Sequence, residues 1–330
     1  MNWKTKLGMS AAISGMILAA GCGSKDTAGS AGSAKSEKTY QVGVTQIVEH
    51  PSLDAALEGF KKALDEKGLK VEYDVQIAGG DQNNSQTIAS NFVGDDVDLI
   101  FANSTPSALS ALNATKDIPI VFTSVTDPIG AGLVQSFEEP GANITGTTDT
   151  HPDAIPSTVK FIDENVEGNK IGMIYNSGEQ NSAAQIDLVE KAIKGTDLEI
   201  VESSVSTSAE VKQAAEALVG KVDAFYIITD NTVVSALESV ISVAGDEDIP
   251  LFVGELDSVA RGGFAAYGFD YNDIGYEAGL KAADILAGNK EASEIPVEYP
   301  QKLKLQISKK AAEAMNVEIK EEWEDAEIID

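Results

Sequence analysis

Cysteine is almost missing from this chain: Cys22 is the only one in 330 residues. A disulfide framework is therefore excluded, and stability has to come from a packed core. Histidine is nearly as scarce, with His50 and His151 alone. Too few His and Cys are present to build a zinc site, so no metal is expected. The only tryptophans are Trp3 and Trp323, near the two ends, and the only arginine is Arg261. A bidentate guanidinium clamp for phosphate or a dicarboxylate is thus not expected in the first half of the chain. Catalytic signatures are missing too: there is no GxSxG elbow, no phosphate-binding GxxxxGK[ST] run and no HExxH. Gly130-Ala131-Gly132 looks like half of a dinucleotide fingerprint, but position 135 is Gln135 and the glycines follow Pro128. No carboxylate pair stands at a spacing that would suggest glycosidase chemistry. These gaps point to a protein that is not an enzyme and needs no cofactor. Basic residues are outnumbered 53 to 24, for a net charge of −29, which argues against nucleic acid as a partner.

Long apolar runs are scarce as well, and the one near the start is short. Lys4 and Lys6 precede an uncharged, mostly apolar stretch from Leu7 to Ala20. A membrane-spanning helix needs roughly 20 apolar residues, so this order reads as a secretory signal over 1–21 rather than a span. Its end, Leu18-Ala19-Ala20-Gly21-Cys22, resembles the lipobox of bacterial lipoproteins, which implies a lipidated (palmitate-bearing) Cys22 at the mature N-terminus. Removing 1–21 takes away two lysines and no acid, so the mature charge becomes 22 − 53 = −31. Residues 23–38, GSKDTAGSAGSAKSEK, have no aromatic and no Leu, Ile or Val. Together with Cys22 they read as a tether over 22–38, whose 16 flexible residues reach about 22 Å. The expected location is extracytoplasmic, lipid-anchored to the cell membrane. At the other end, Glu318 to Asp330 holds seven carboxylates in thirteen residues and reads as a solvated, partly frayed tail.

Between these ends the chain repeats itself. Val97–Leu112, VDLIFANSTPSALSAL, aligns without a gap on Val222–Leu237, VDAFYIITDNTVVSAL. Asp117-Ile-Pro-Ile-Val-Phe is answered by Asp248-Ile-Pro-Leu-Phe-Val, and Val42-Gly43-Val44 by Ile171-Gly172-Met173. Strand-like runs alternate with helical patterns throughout, as in a parallel sheet covered by helices. The expected fold class is α/β, with two doubly wound parallel-sheet lobes joined by a three-segment hinge. Lobe 1 is expected over 39–149 plus 270–299, and lobe 2 over 150–269 plus 300–330. Ala266–Tyr271 and Leu303–Ile307 are the expected crossing strands, with an amphipathic helix over Ile274–Leu286 between them.

Ligands of open α/β sheets bind beyond the carboxyl ends of the strands. That rule selects Gln46–Pro51, Asn103–Pro106 and Thr123–Pro128 in lobe 1, and Asn176–Ser182, Thr229–Thr232 and Gly254–Asp257 in lobe 2. Facing lobes would line one cleft with all six turns. Four strings, VEHPSLDAALEGF (48–60), ANSTPSALSALNATKDIPIVFTSVTDPIGAGLV (102–134), TDNTVVSALE (229–238) and YGFDYNDIGYEAG (267–279), resemble the substrate-binding lipoproteins of ABC transporters of the tryptophan/tyrosine type. The resemblance spans roughly 40–315. It implies the type I periplasmic-binding fold, a receptor that captures a small amino acid-like ligand, and an ABC permease and ATPase as partners. Contact with the membrane would run through the lipid only, and the receptor would be a monomer.

A free amino acid presents a carboxylate, an ammonium and a side chain. Ser104 and Thr105, before Pro106 and Ser107 at a helix start, offer hydroxyls and free N–H groups to the carboxylate. Ser124 and Thr126 offer more, and the resemblance implies that hydroxyls at these two strand ends hold it. Plain helix capping would use the same residues. Asp230 and Asp270 are the first candidates for the ammonium, with Asp127, Glu179 and Glu255 behind them. Asp230 would equally serve as a cap, and Asp270 as a brace of the hinge. Gln46, Asn181, Ser182 and Asn231 complete the candidate lining. For the side chain, His50 with Glu49 and Pro51, and Tyr175, Tyr226 or Tyr267, are candidates, although strand tyrosines usually fill core. His151 reads as a hinge or surface residue. A nucleoside or sugar receptor of the same fold, or a ligand-presenting sensor, are the alternatives; sugar sites usually stack on Trp, and the only ones here are Trp3, in the signal, and Trp323, in the tail.

Overall fold

The computed structural model describes residues 38–330. The signal, Cys22 and all but the last residue of the expected tether lie outside the described residues.

The first half alternates strand and helix: β1 (Thr39–Gln46), α1 (Pro51–Glu66), β2 (Lys70–Ile77), α2 (Gln82–Gly94), β3 (Leu99–Asn103), α3 (Thr105–Ala114), β4 (Ile120–Val125) and β5 (Ile144–Thr148). They form a five-stranded parallel sheet in the order β2-β1-β3-β4-β5. Every residue of β3, β4 and β5 is buried, as expected where helices cover both faces. The edge strand β2 is mostly exposed.

The second half runs α4 (Ala154–Asn165), β6 (Lys170–Tyr175), α5 (Gln180–Ala192), β7 (Glu199–Ser204), α6 (Val211–Leu218), β8 (Ala224–Ile227), α7 (Asn231–Val234), α8 (Leu237–Asp246), β9 (Leu251–Val253), α9 (Leu256–Arg261) and β10 (Ala265–Gly268). Its strands follow the same order, β7-β6-β8-β9-β10, and then add β11 (Lys304–Ser308), antiparallel to β10, and β12 (Glu327–Ile329). The sequence echoes fall on equivalent places, in β1 and β6, in β3–α3 and β8–α7, and in β4 and β9. Even the glycines agree. A Cβ on Gly43 would sit 2.6 Å from the Phe92 ring, and one on Gly172 would sit 3.0 Å from Phe225. Both positions keep a strand bare so that an aromatic can lie on it.

The chain passes between the two sheets three times, after β5, after β10, and before β11. Strand β10 ends at Gly268, and Tyr271 already opens α10 (Tyr271–Leu286), so the crossing expected as a strand over Ala266–Tyr271 is half helix start. Helix α10 packs along α1 and against β4 and β5, on the first sheet. The acidic end is not a frayed tail. After α11 (Lys309–Ala314), buried Trp323 packs 5.0 Å from Phe161, and β12 pairs with β11, pinned by Lys304 Nζ to Glu327 Oε2 at 2.6 Å. One indole supplies enough apolar area to hold a charged segment in place.

Candidate functional site

The ends of the first sheet's strands are tied into one buried network. Ser124 Oγ donates to Asn103 Oδ1 (2.9 Å), and Asn103 Nδ2 donates to Gln46 Oε1 (2.9 Å) and the Leu53 carbonyl (2.8 Å). Gln46 Nε2 in turn donates to Asp54 and the Val48 carbonyl. Gln46 therefore braces β1, β3 and α1 and has no side-chain atom to spare. Two serines at this edge are held in left-handed backbone conformations, Ser104 at φ 107° and Ser124 at φ 56°. Such conformations cost about 1–3 kcal/mol each and persist at places the fold over-determines, typically sites.

Capping, the ordinary use of these hydroxyls, does not occur at α3. Ser104 occupies the cap position but its side chain bonds only Ser107 Oγ, at 3.2 Å. Thr105 Oγ1 is buried without any partner. Further orphans stand at other helix ends: His50 Nδ1 at the start of α1, Gln180 Oε1 and Asn181 Oδ1 at the start of α5, and Arg261 Nη1 at the end of α9. His50, Thr105 and Asn181 are 5%, 1% and 3% exposed. Leaving such atoms unpaired costs about 1–3 kcal/mol apiece, so a cluster of them marks a place built for another molecule. Burial, and then the charge of Arg261, lowers the His50 pKa to about 4, so its imidazole is neutral.

The second sheet's acids divide by what they bond. Asp230 Oδ2 accepts from Asn176 N (2.7 Å) and Ser182 Oγ (2.6 Å), while Oδ1 accepts from Val233 N (2.8 Å). Glu179 accepts from the backbone and side chains of both Asn231 and Thr232. Both carboxylates close the short helix α7 and the turn before α5. Burial, with Glu179 beside it, pushes the Asp230 carboxyl up. Asp230 thus serves as the cap that was its alternative reading, with three donors from its own half. Asp270 is exposed and caps Asn272 N at 2.8 Å. Asp127 holds the Gly130 amide at 2.8 Å beside a groove of about 790 Å³ that His151 and Tyr299 also line. Glu49 is exposed. Tyr226 lies wholly in the core, Tyr267 packs edge-on to Phe161, and Tyr175 reaches Glu202 on β7.

Contacts between the sheets' two halves lie at two seams. At one, α1 packs on α9, and Ser52 Oγ donates to Glu255 Oε2 at 2.8 Å. At the other, α3 packs near α5, and Gln185 Nε2 reaches Thr126 Oγ1 at 3.4 Å. Thr126 Oγ1 itself donates to Asp149 Oδ1 (3.0 Å), whose Oδ2 accepts from Tyr271 Oη (3.0 Å). Burial raises the pKa of Asp149 to about 6 and of Glu255 to about 7, against the hydrogen bonds each receives. Asp149, Ser52, Gln185 and Tyr271 went unnoticed in the sequence. Asp149 follows a strand end, β5; the signal was present and was masked by its place in a crossing.

The comparisons with known proteins agree with this layout. Residues 41–325 match the family model "ABC transporter substrate binding protein". The chain belongs to that family. The "Tyrosine-binding protein" of Clostridioides difficile is 42% identical over 316 residues, covering 93% of this chain and 91% of that one. An ABC domain in complex with L-Trp from Streptococcus pneumonia superposes with a TM-score of 0.83 at 30% identity, covering 88% of this chain and all of the other. The ligand-free, open structure of a Clostridium difficile substrate-binding protein with adhesive properties is 38% identical over 88% and 99% of the two chains, yet its TM-score is only 0.64. Receptors of this family bind solutes and catalyse nothing.

Proposed function

We propose that this receptor captures an aromatic amino acid between its lobes outside the cytoplasm and delivers it to an ABC permease and its ATPase. The observation that carries the reading is the set of orphaned buried atoms contributed by both halves, His50 Nδ1 and Thr105 Oγ1 on one side and Asn181 Oδ1 on the other. A convergent donor hydroxyl, a helix N-terminus and an amide suit a carboxylate and its neighbouring polar groups. In this reading Thr105, with Ser104 and Ser124 shaping the backbone, holds the ligand carboxylate at the start of α3. His50 stands on the same side as Thr105, and Asn181 Oδ1, an acceptor, faces a donor N–H of the ligand from the opposite wall. The tyrosine-binding relative and the tryptophan complex support an aromatic side chain. The anchor belongs to the same proposal: Cys22 carries lipid and 23–38 tether the lobes, divided as 39–149 plus 270–299 and 150–269 plus 300–330, at the membrane.

A thermal-shift screen tests the ligand class. Tyrosine or tryptophan at 100 times its Kd should stabilise the fold by about 2.7 kcal/mol. A clear shift with a sugar or nucleoside, and none with any amino acid, would replace the reading by one of the alternatives.

A further inference from the structure

Two of the orphaned atoms meet at the seam where α1 packs on α9 and Ser52 Oγ donates across to Glu255 Oε2 at 2.8 Å. His50 Nδ1 comes to it from one half and Arg261 Nη1 from the other. Both atoms are buried, and neither has a hydrogen-bond partner among the described residues. The two groups are close enough to feel each other, since after burial the charge of Arg261 does most to lower the His50 pKa. The Arg261 side chain is 14% exposed and uses one edge of its guanidinium, Nε and Nη2 donating to Glu238 at 2.9 and 2.8 Å. Because the guanidinium is a rigid fork, that pairing leaves Nη1 as a donor of fixed direction. The α3–α5 seam has the same construction, with Thr105 Oγ1 orphaned on one half and Asn181 Oδ1 on the other.

The surroundings of Arg261 decide what this pair would take. Glu238 already neutralises the guanidinium, and Glu255 and Asp257 also feel its charge, so a carboxylate brought to Nη1 would meet three acids. An ammonium would set donor against donor. A hydroxyl fits: one lone pair accepts from Nη1, and the group either donates its O–H to Nδ1 or accepts from it, so it serves both tautomers of a neutral imidazole. We propose that His50 Nδ1 and Arg261 Nη1 read a hydroxyl at the far end of the ligand's side chain and so select tyrosine over phenylalanine and tryptophan. This rests on the ligand being an amino acid. The ligand then lies along the cleft, its backbone end at the α3–α5 seam and its phenol at the α1–α9 seam. Phenylalanine leaves a buried charged donor and a ring nitrogen unpaired, which discriminates far more strongly than a lost apolar contact does. An indole N–H, a donor alone, serves Nδ1 but not Nη1.

The test is titration calorimetry with L-tyrosine, L-phenylalanine and L-tryptophan on wild type, His50→Leu and Arg261→Lys. Wild type should prefer tyrosine to phenylalanine by on the order of 100-fold. Each variant should cut that ratio by on the order of 10-fold, the loss falling on tyrosine. Arg261→Lys keeps a positive charge for Glu238 but loses the fork. A merely structural role would weaken the three ligands alike and leave the ratio where it was, and that result would overturn the assignment. Thermal melts first establish that the variants fold; if neither does, the wild-type ratio of tyrosine to phenylalanine decides alone. A wild type that binds phenylalanine or tryptophan as tightly as tyrosine would give the pair to a resident water and overturn the hydroxyl assignment, leaving the amino acid reading intact. A wild type that binds no amino acid would remove both.

Discussion

Residue type alone does not say which way a polar side chain faces, and this receptor shows why. Asp230 and Thr105 both sit at helix starts, and both were candidates on the same rule. The structure separates them by their bonds, since Asp230 holds three donors and Thr105 Oγ1 holds none. Opposite outcomes follow. Asp230→Ala should leave the Asn176 and Val233 amides and the Ser182 hydroxyl unpaired, at about 1–3 kcal/mol each, and calorimetric melting should drop by several degrees. Thr105→Val should melt like wild type or slightly higher, because the hydroxyl it removes bonds nothing. Its ligand affinity should fall by about 1.5–3 kcal/mol if that hydroxyl donates to a carboxylate. A Thr105→Val receptor that binds normally would clear Thr105 from the site. The strand-end rule thus made the neighbourhood legible, but the division into caps and free groups depends on side-chain directions that a sequence does not carry. Tyr226 is the core residue that a strand tyrosine usually is, since in a sheet buried on both faces alternate residues point into core.

At the scale of elements, the repeats were the most legible feature, since helix and strand periods recur in order and the topology follows from short right-handed crossings. The contact of α1 with α10 was not legible, because 200 residues separate the two helices. It depends on bare backbone. A Cβ on Gly275 would stand 1.9 Å from the Ala56 carbonyl oxygen, and one on Gly59 would stand 2.1 Å from that of Asn272. Alanine is normally the better helix former by about 1 kcal/mol, but here the backbones would have to part. Gly275→Ala should therefore destabilise by about 1–3 kcal/mol, read as a melting point lower by about 2–4 °C for each kcal/mol. Because α10 begins at a hinge crossing, the same variant should shift the balance between open and closed forms. An unchanged melting point would show that the helices have room the geometry denies.

For the whole molecule, closure and acidity are linked, and the sign can be worked out. Burial raises Glu255 to about 7 from an ordinary 4.5, and Ser52 covers it from the other half; Asp149, raised to about 6, is held by Thr126 and Tyr271 of its own half. A carboxyl whose pKa is higher in the closed form binds more protons there than in the open form, so acid favours closing. The contribution of Glu255 is fully present below the ordinary carboxylate range and is lost as pH rises through about 7. His50, lowered to about 4, stays neutral across that window and adds nothing to it. Asp230 is buried within one lobe by Asn176, Ser182 and Val233, so its shift belongs to folding rather than to closing. Ligand-free receptor should accordingly become more compact between pH 8 and pH 5.5, by solution scattering or by energy transfer between dyes on α2 and α6. Glu255→Gln should be compact at both ends of that range, because a neutral amide incurs no charge-burial penalty. A ligand-free receptor that opens as the pH falls would contradict the linkage outright, as acid can favour the open form only if the closed cleft rejects protons.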